Sequence, residues 1–223
     1  MRLKIPHTYT RAYHKALQVV AYLATPVATI GDPIHLDGIV AGDLSGRGLE
    51  RLRFAKCGVR RNGRTVWWWA ASAHYGKIIS RETEHVHRQF PFPYSHLLMK
   101  KVRRINISSG RERSFQIPLP VLLYKTLTWY CVADRKWLEK KLQRVHNIGK
   151  KWKRGIGLVH KWEITEIEVE DCFFNFRADG SPARCLPYIW RPNLGYPIPA
   201  AIRPSYWDER NVVECLIPDY DID

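Results

Sequence analysis

The chain has 223 residues, is 45% hydrophobic and carries nine tryptophans, enough to fill the core of one large domain. Its net charge of +15 is large for this size and speaks to an anionic partner rather than to a fold. The opening "MRLKIPHTYTRAYHK" is polar where a secretory leader needs an apolar run, and no stretch approaches about twenty consecutive apolar residues, so a cytoplasmic protein without a membrane partner is expected.

The charge is unevenly spread. Residues 1–80 carry +8, residues 81–161 carry +14 and residues 162–223 carry −7. A polyanion-facing middle and an oppositely charged tail suit nucleic acid first, with an anionic membrane surface as the weaker alternative. The five cysteines (Cys57, Cys131, Cys172, Cys185, Cys215) are odd in number and widely separated, so they read as buried reduced thiols. Neither they nor the histidines show metal-ligand spacing, and no metal or other cofactor is expected.

In chain order, "ALQVVAYLATPVA" (Ala16 to Ala28) reads as a central strand, and "IHLDGIVAGDL" as a short helix despite Gly38 and Gly42. "RLRFAKCGV" and "TVWWWAASAHY" flank Asn62-Gly63, a tight-turn pair, and form the clearest hairpin in the chain. On its second strand Trp67 and Trp69 point one way and Trp68 the other, so both faces need cover. Residues 80 to 120 read as irregular, with a very basic hairpin turning at Ser109-Gly110. "LTWYCVAD" is a strand that runs into a helix capped by Asp134, with Leu138, Leu142 and Val145 on its apolar face. The helix is expected to end at Asn147 and Gly149, with a left-handed C-cap. "LVHKWEITEIEV" resumes as a strand. The order matches a βαββαβ unit, so the predicted fold class is α+β, ferredoxin-like (RRM-like). One domain over residues 1–223 is expected, with a basic insertion at about 81–120 and a Pro- and aromatic-rich extended segment from about 172 packed over it.

Between the last helix and strand lies "IGKKWKRGIGLVHKW" (Ile148 to Trp162), flexible, positive and aromatic at once. A nucleotide-triphosphate loop needs the opposite order of strand and helix and a Gly-Lys-Ser/Thr ending, and a dinucleotide fold fails likewise. Gly149, Gly155 and Gly157 can let backbone N–H groups approach a phosphate, Lys150, Lys151, Lys153 and Arg154 supply charge, and Trp152 either stacks on a base or fills core. The competing reading is a solvated basic turn.

"IGKKWKRGIGLVHKWEI" in this position resembles the glycine-rich loop of CRISPR-associated RAMP proteins. "TPVATIGDPIHLDGIVA" (Thr25 to Ala41) and "IRPSYW" (Ile202 to Trp207) narrow the resemblance to the Cas-five-type subunit of type IV CRISPR effector complexes, over about residues 16 to 217. The resemblance implies a non-catalytic subunit of a prokaryotic ribonucleoprotein. Such a subunit grips the 5′ handle of the guide RNA, caps a filament of backbone subunits, and adjoins the large and small effector subunits and target DNA near the protospacer-adjacent motif. It further implies a thumb formed by the basic hairpin, with Lys100, Lys101, Arg103, Arg104, Arg111 and Arg113, and a groove near His35 and Asp37. Those two residues equally fit a capping and turn-satisfying pair.

Some RAMP relatives cut CRISPR repeat RNA with a histidine acid or base. "ETEHVHRQF" places His85 and His87 on one face of an extended segment, the best pair for a metal-independent endoribonuclease, the alternative reading. A basic protein reading duplex DNA by shape is the third.

Overall fold

A computed structural model describes residues 11–29, 33–42, 51–61, 64–88, 108, 113–150 and 154–218. Strand β1 (His14–Leu23) is followed by the short β2 (Val27–Ala28) and helix α1 (Leu36–Gly42). The hairpin strands β3 (Lys56–Arg61) and β4 (Arg64–Trp69) precede two long strands, β5 (Ile78–Arg88) and β6 (Phe115–Tyr124). Then come β7 (Thr126–Asp134), α2 (Arg135–Leu142), β8 (Val159–Glu166), and β9 (Leu186–Pro187), β10 (Ile198–Ala201) and β11 (Val212–Leu216). The result is an α+β fold of mostly antiparallel strands and two helices.

β1 is central, its apolar Leu17, Val19 and Ala21 fully buried on one face. It lies between β7 and β8, antiparallel to each, so β7 and β8 run the same way with α2 crossing between them. Beyond β7 the chain from Ala70 to Tyr75 adds a broken edge: Ala71 bridges Cys131 and Tyr75 bridges Thr128. Leu17, Val19 and Ala21 of β1 face one core with Leu127 and Trp129 of β7 and Leu138 and Leu142 of α2. Asp134 caps α2 as expected, its Oδ1 accepting from the Trp137 N–H at 3.1 Å. Trp68 points into a second core on the other side, with Leu186, Ile202 and Cys215, while Trp67 and Trp69 join the first. All five cysteines are buried and none forms a disulfide, and burial pushes the Cys172 thiol up to about 12.

Four expectations change. The region from 80 to 120 is not irregular at its ends: β5 and β6 pair from Ile78↔Tyr124 to Arg88↔Phe115. The pattern hides them because β5 buries only Val86, and because β6 contains Pro118 and Pro120. Those prolines are tolerated where β6 pairs on one side alone, since β2 reaches only Val121 and Leu122. Helix α2 stops at Leu142 rather than Asn147, passing into tight turns in which Arg144 N–H bonds the Lys141 carbonyl and Val145 N–H that of Leu142. The predicted long first strand breaks after Leu23. Residues from 172 include a three-stranded sheet, β10-β11-β9, rather than an extended segment alone. The Asn62-Gly63 turn, the Ser109-Gly110 turn, and Lys100, Lys101, Arg103, Arg104 and Arg111 lie outside the described residues; Arg113 is exposed, just before β6.

Among the described residues, no helix is long and apolar enough to cross a membrane.

Candidate nucleic-acid interface

The glycine loop is held by contacts between its two ends and the β1–β2 turn. Ile148 N–H bonds the Gly157 carbonyl at 2.8 Å, Gly157 N–H bonds Pro26 at 2.8 Å, and Lys150 N–H bonds Ala28 at 3.0 Å. Thr25 clasps the returning arm of the loop: its Oγ1 donates to the Gly155 carbonyl and accepts from Leu158 N–H, each at 2.8 Å. Ile156 turns inward against Ala28, Val86, Leu119 and Val121, so the loop also packs on the β5–β6 ribbon.

The three glycines all have positive φ, at 79° for Gly149, 78° for Gly155 and 71° for Gly157. Gly149 and Gly157 allow close backbone packing: a Cβ on Gly149 would lie 2.8 Å from the Ala28 carbonyl oxygen, and one on Gly157 would collide with that of Ile148. Only Gly155 of the three faces open space. The N–H groups of Lys150 and Gly157 already serve the fold, which limits the backbone donors left for a ligand. Lys151, Trp152 and Lys153 lie outside the described residues, and Arg154 is exposed. Trp162 is structural, its Nε1–H donating to the Val145 carbonyl at 2.9 Å beside Trp129.

Next to the loop opens a cleft of about 650 Å³ between α1 and the turns that follow α2. It is lined by His35, Arg144, His146, Gly149, Lys150 and Tyr206 together with Thr29, Asn147 and apolar residues. Its volume falls in the range of small-ligand sites. His35, the glycine loop and the C-terminal "IRPSYW" stretch therefore meet at one place, although they are far apart in sequence. Arg154, Gly155, Gly157 and Arg113 are not among its lining residues.

His35 and Tyr206 stack with ring centroids 4.6 Å apart and planes 12° from parallel. His35 Nδ1 is buried without a hydrogen-bond partner among the described residues. Burial, then the Arg184 charge, holds the ring's pKa well below the ordinary value, so it is neutral. Asp37 does not line the cleft, contrary to the expected pairing with His35. It is fully buried beneath it, where its Oδ1 accepts from the Tyr206 hydroxyl at 2.7 Å and from Gly38 N–H at 3.0 Å. Arg184, also fully buried, donates to Asp37 Oδ2 at 3.4 Å and to the carbonyls of Trp69, Ala71 and Ile202. Burial pushes the Asp37 carboxyl up, against the opposing pull of Arg184 and Tyr206. Tyr206, Arg144, His146 and Arg184 were not evident from local pattern; the "IRPSYW" stretch was the only pointer, and it lacked a partner.

His74 underlies the same wall. Its Nδ1 accepts from Ile34 N–H at 3.2 Å, and burial, aided by Arg177, lowers its pKa to about 4. The unfolded chain takes up that proton near pH 6.5, so the stabilisation is complete above 6.5 and is lost as pH falls toward 4. The expected loss is about 3 kcal/mol, with His35 adding in the same direction. Denaturant unfolding at pH 7, 5.5 and 4.5 checks it: His74→Asn, which keeps an acceptor for Ile34, should flatten the dependence.

His85 and His87 lie on one exposed face of β5, opposite Pro118 and Gln116 of β6, while Val86 points inward. They are not part of the cleft. Among the described residues no group of three or more His, Cys, Asp or Glu side chains could hold a metal ion.

Comparison with solved structures gives a chain in the cryo-EM structure of the Type III-B Cmr-beta bound to cognate target RNA, with 10% identity and a TM-score of 0.32. The match covers 68% of this chain and 61% of that one, so it spans about three fifths of that chain's length. No curated protein gives a significant match. The family model described as "CRISPR type IV associated protein Csf3" matches residues 59–218, which take in the broken edge, α2, the glycine loop, Arg184 and Tyr206. The chain belongs to the CRISPR type IV associated protein Csf3 family.

Proposed function

We propose that the cleft beside the glycine loop grips single-stranded RNA, and that the protein is a non-catalytic RNA-binding subunit of a type IV CRISPR ribonucleoprotein. The observation that carries this reading is the convergence of His35, Arg144, His146, Lys150 and Tyr206 on one cleft, beside the loop whose sequence carries Lys150, Lys151, Lys153 and Arg154. Cations for phosphates with an aromatic ring, Tyr206, beside them suit single-stranded RNA. Family membership supplies the CRISPR setting. Within it we propose the Cas-five-type role: holding the 5′ handle of the guide RNA, capping the backbone-subunit filament beside the large and small subunits, and lying near target DNA at the protospacer-adjacent motif, in the cytoplasm and without a cofactor. The strand order β7-β1-β8, with α2 crossing between the parallel outer pair and α1 on the same face, supports a ferredoxin-like core.

Binding of 3′-labelled repeat RNA as a function of salt tests the reading. Arg144→Gln with Lys150→Gln should lower the log–log salt slope by about 1.4, at about 0.7 per phosphate contact on a single strand. An unchanged slope would mean that the cleft faces another partner. The endoribonuclease alternative rests on the exposed His85 and His87 pair. Site-specific cleavage of repeat RNA without metal, lost in His85→Ala or His87→Ala, would replace the non-catalytic reading.

A further inference from the structure

A second cleft, of about 830 Å³, opens near the N-terminal end of α2. Five cations line it: Arg11, Arg51, Arg53, Lys56 and Lys141. No acidic side chain does so among the described residues. Arg53 is paired with Asp134 at 2.8 Å, and Lys56 lies over the rings of Trp67 and Trp69 at 4.7 and 5.1 Å. Arg11 and Arg51 are exposed. Tyr13 and Trp137 supply aromatic surface, Tyr13 with 42% of its area exposed.

The two clefts are joined by one stripe. Trp137, Lys141 and Arg144 stand at i, i+4 and i+7 along α2 and the turn that continues it, which sets them on one face. Trp137 and Lys141 line the second cleft, and Arg144 lines the first. Seven residues of helix rise about 10 Å. A single strand stacked at about 3.4 Å per nucleotide crosses that distance in roughly three nucleotides.

We infer that the second cleft holds the continuation of the RNA strand bound in the first, with phosphates at Arg11, Arg51 and Lys141 and bases against Tyr13 and Trp137. This rests on the reading of the first cleft as an RNA site. It predicts two subsites of different reach. A spacing-matched strand would fill both, whereas a strand too short for the connecting stripe would fill only the first.

The test compares 3′-labelled single-stranded repeat RNAs of about 6 and about 16 nucleotides, lengths that bracket the site sizes of single-strand binders. The Arg11→Gln/Arg51→Gln/Lys141→Gln protein should bind the longer RNA about tenfold more weakly, with its salt slope lower by about 2. The shorter RNA should bind as to the unaltered protein. Unchanged binding of the longer RNA, or equal weakening of both lengths, would overturn the inference. Arg144→Gln/Lys150→Gln is the control for the first cleft and should weaken both lengths. If it weakens neither while the triple variant weakens the longer RNA, the first-cleft reading fails, and with it the two-subsite inference, leaving an RNA site in the second cleft alone. A melting curve on each variant separates loss of binding from loss of fold.

Discussion

Replacing Arg184 with alanine is expected to lower stability by about 3–5 kcal/mol, the cost of breaking a buried ion pair from one side. At about 2–4 °C per kcal/mol for a chain of this size, the melting temperature should drop by about 6–20 °C. The guanidinium is fully buried and joins four segments: the end of β4 at Trp69, the broken edge at Ala71, the Asp37 carboxylate at the start of α1, and the Ile202 carbonyl after β10. Removing it leaves Asp37 in a buried site with Tyr206 and Gly38 as its donors among the described residues. Arg184→Lys should rescue little, because a single ammonium cannot reproduce a planar fork that reaches carbonyls in different directions. Tyr206→Phe removes one bond to the carboxylate and should cost less, about 1.5–3 kcal/mol. Thermal melts of the three variants rank these effects. A melting temperature for Arg184→Ala within a few degrees of the unaltered protein would show that the network does not hold these segments together.

The second large effect is expected at Gly157. An alanine Cβ there would collide with the Ile148 carbonyl, at a φ of 71° that L residues rarely adopt. Strain and clash together should cost about 3 kcal/mol, since the Ile148–Gly157 and Gly157–Pro26 hydrogen bonds must also shift. Gly155 has nearly the same φ, 78°, but open space around it, so Gly155→Ala should cost only about 1 kcal/mol. Comparing the pair by denaturant unfolding separates the two causes. Equal losses would place the whole cost in backbone conformation and none in the close approach of the loop to its own base.

Much of the scaffold was legible because it is written in local pattern. β1 carries an apolar run, Asp134 precedes a helix with Leu138 and Leu142 four apart, and the alternating tryptophans of β4 do enter two different cores. The β5–β6 ribbon escaped because a strand that buries a single valine has no alternation to read. The cleft was legible only in pieces. His35, Gly149 and Lys150 were singled out from the sequence, but Asp37 and Arg184 are 147 residues apart, and no local rule predicts that their charges cancel. Thr25 and Gly155, 130 apart, make the same point for the loop. The loop's glycines had a second explanation hidden from pattern: two of the three are required by the packing of the loop itself.

RNA is expected to lie in the cleft where His35, Lys150 and Tyr206 meet. Ultraviolet crosslinking of 4-thiouridine-substituted repeat RNA to the protein, followed by peptide mapping, tests it most directly. Adducts are expected in the peptides carrying His35, Arg144 to Lys150, and Tyr206. Adducts confined to the β5–β6 ribbon or to the β9–β11 sheet, with none at the cleft, would contradict the claim.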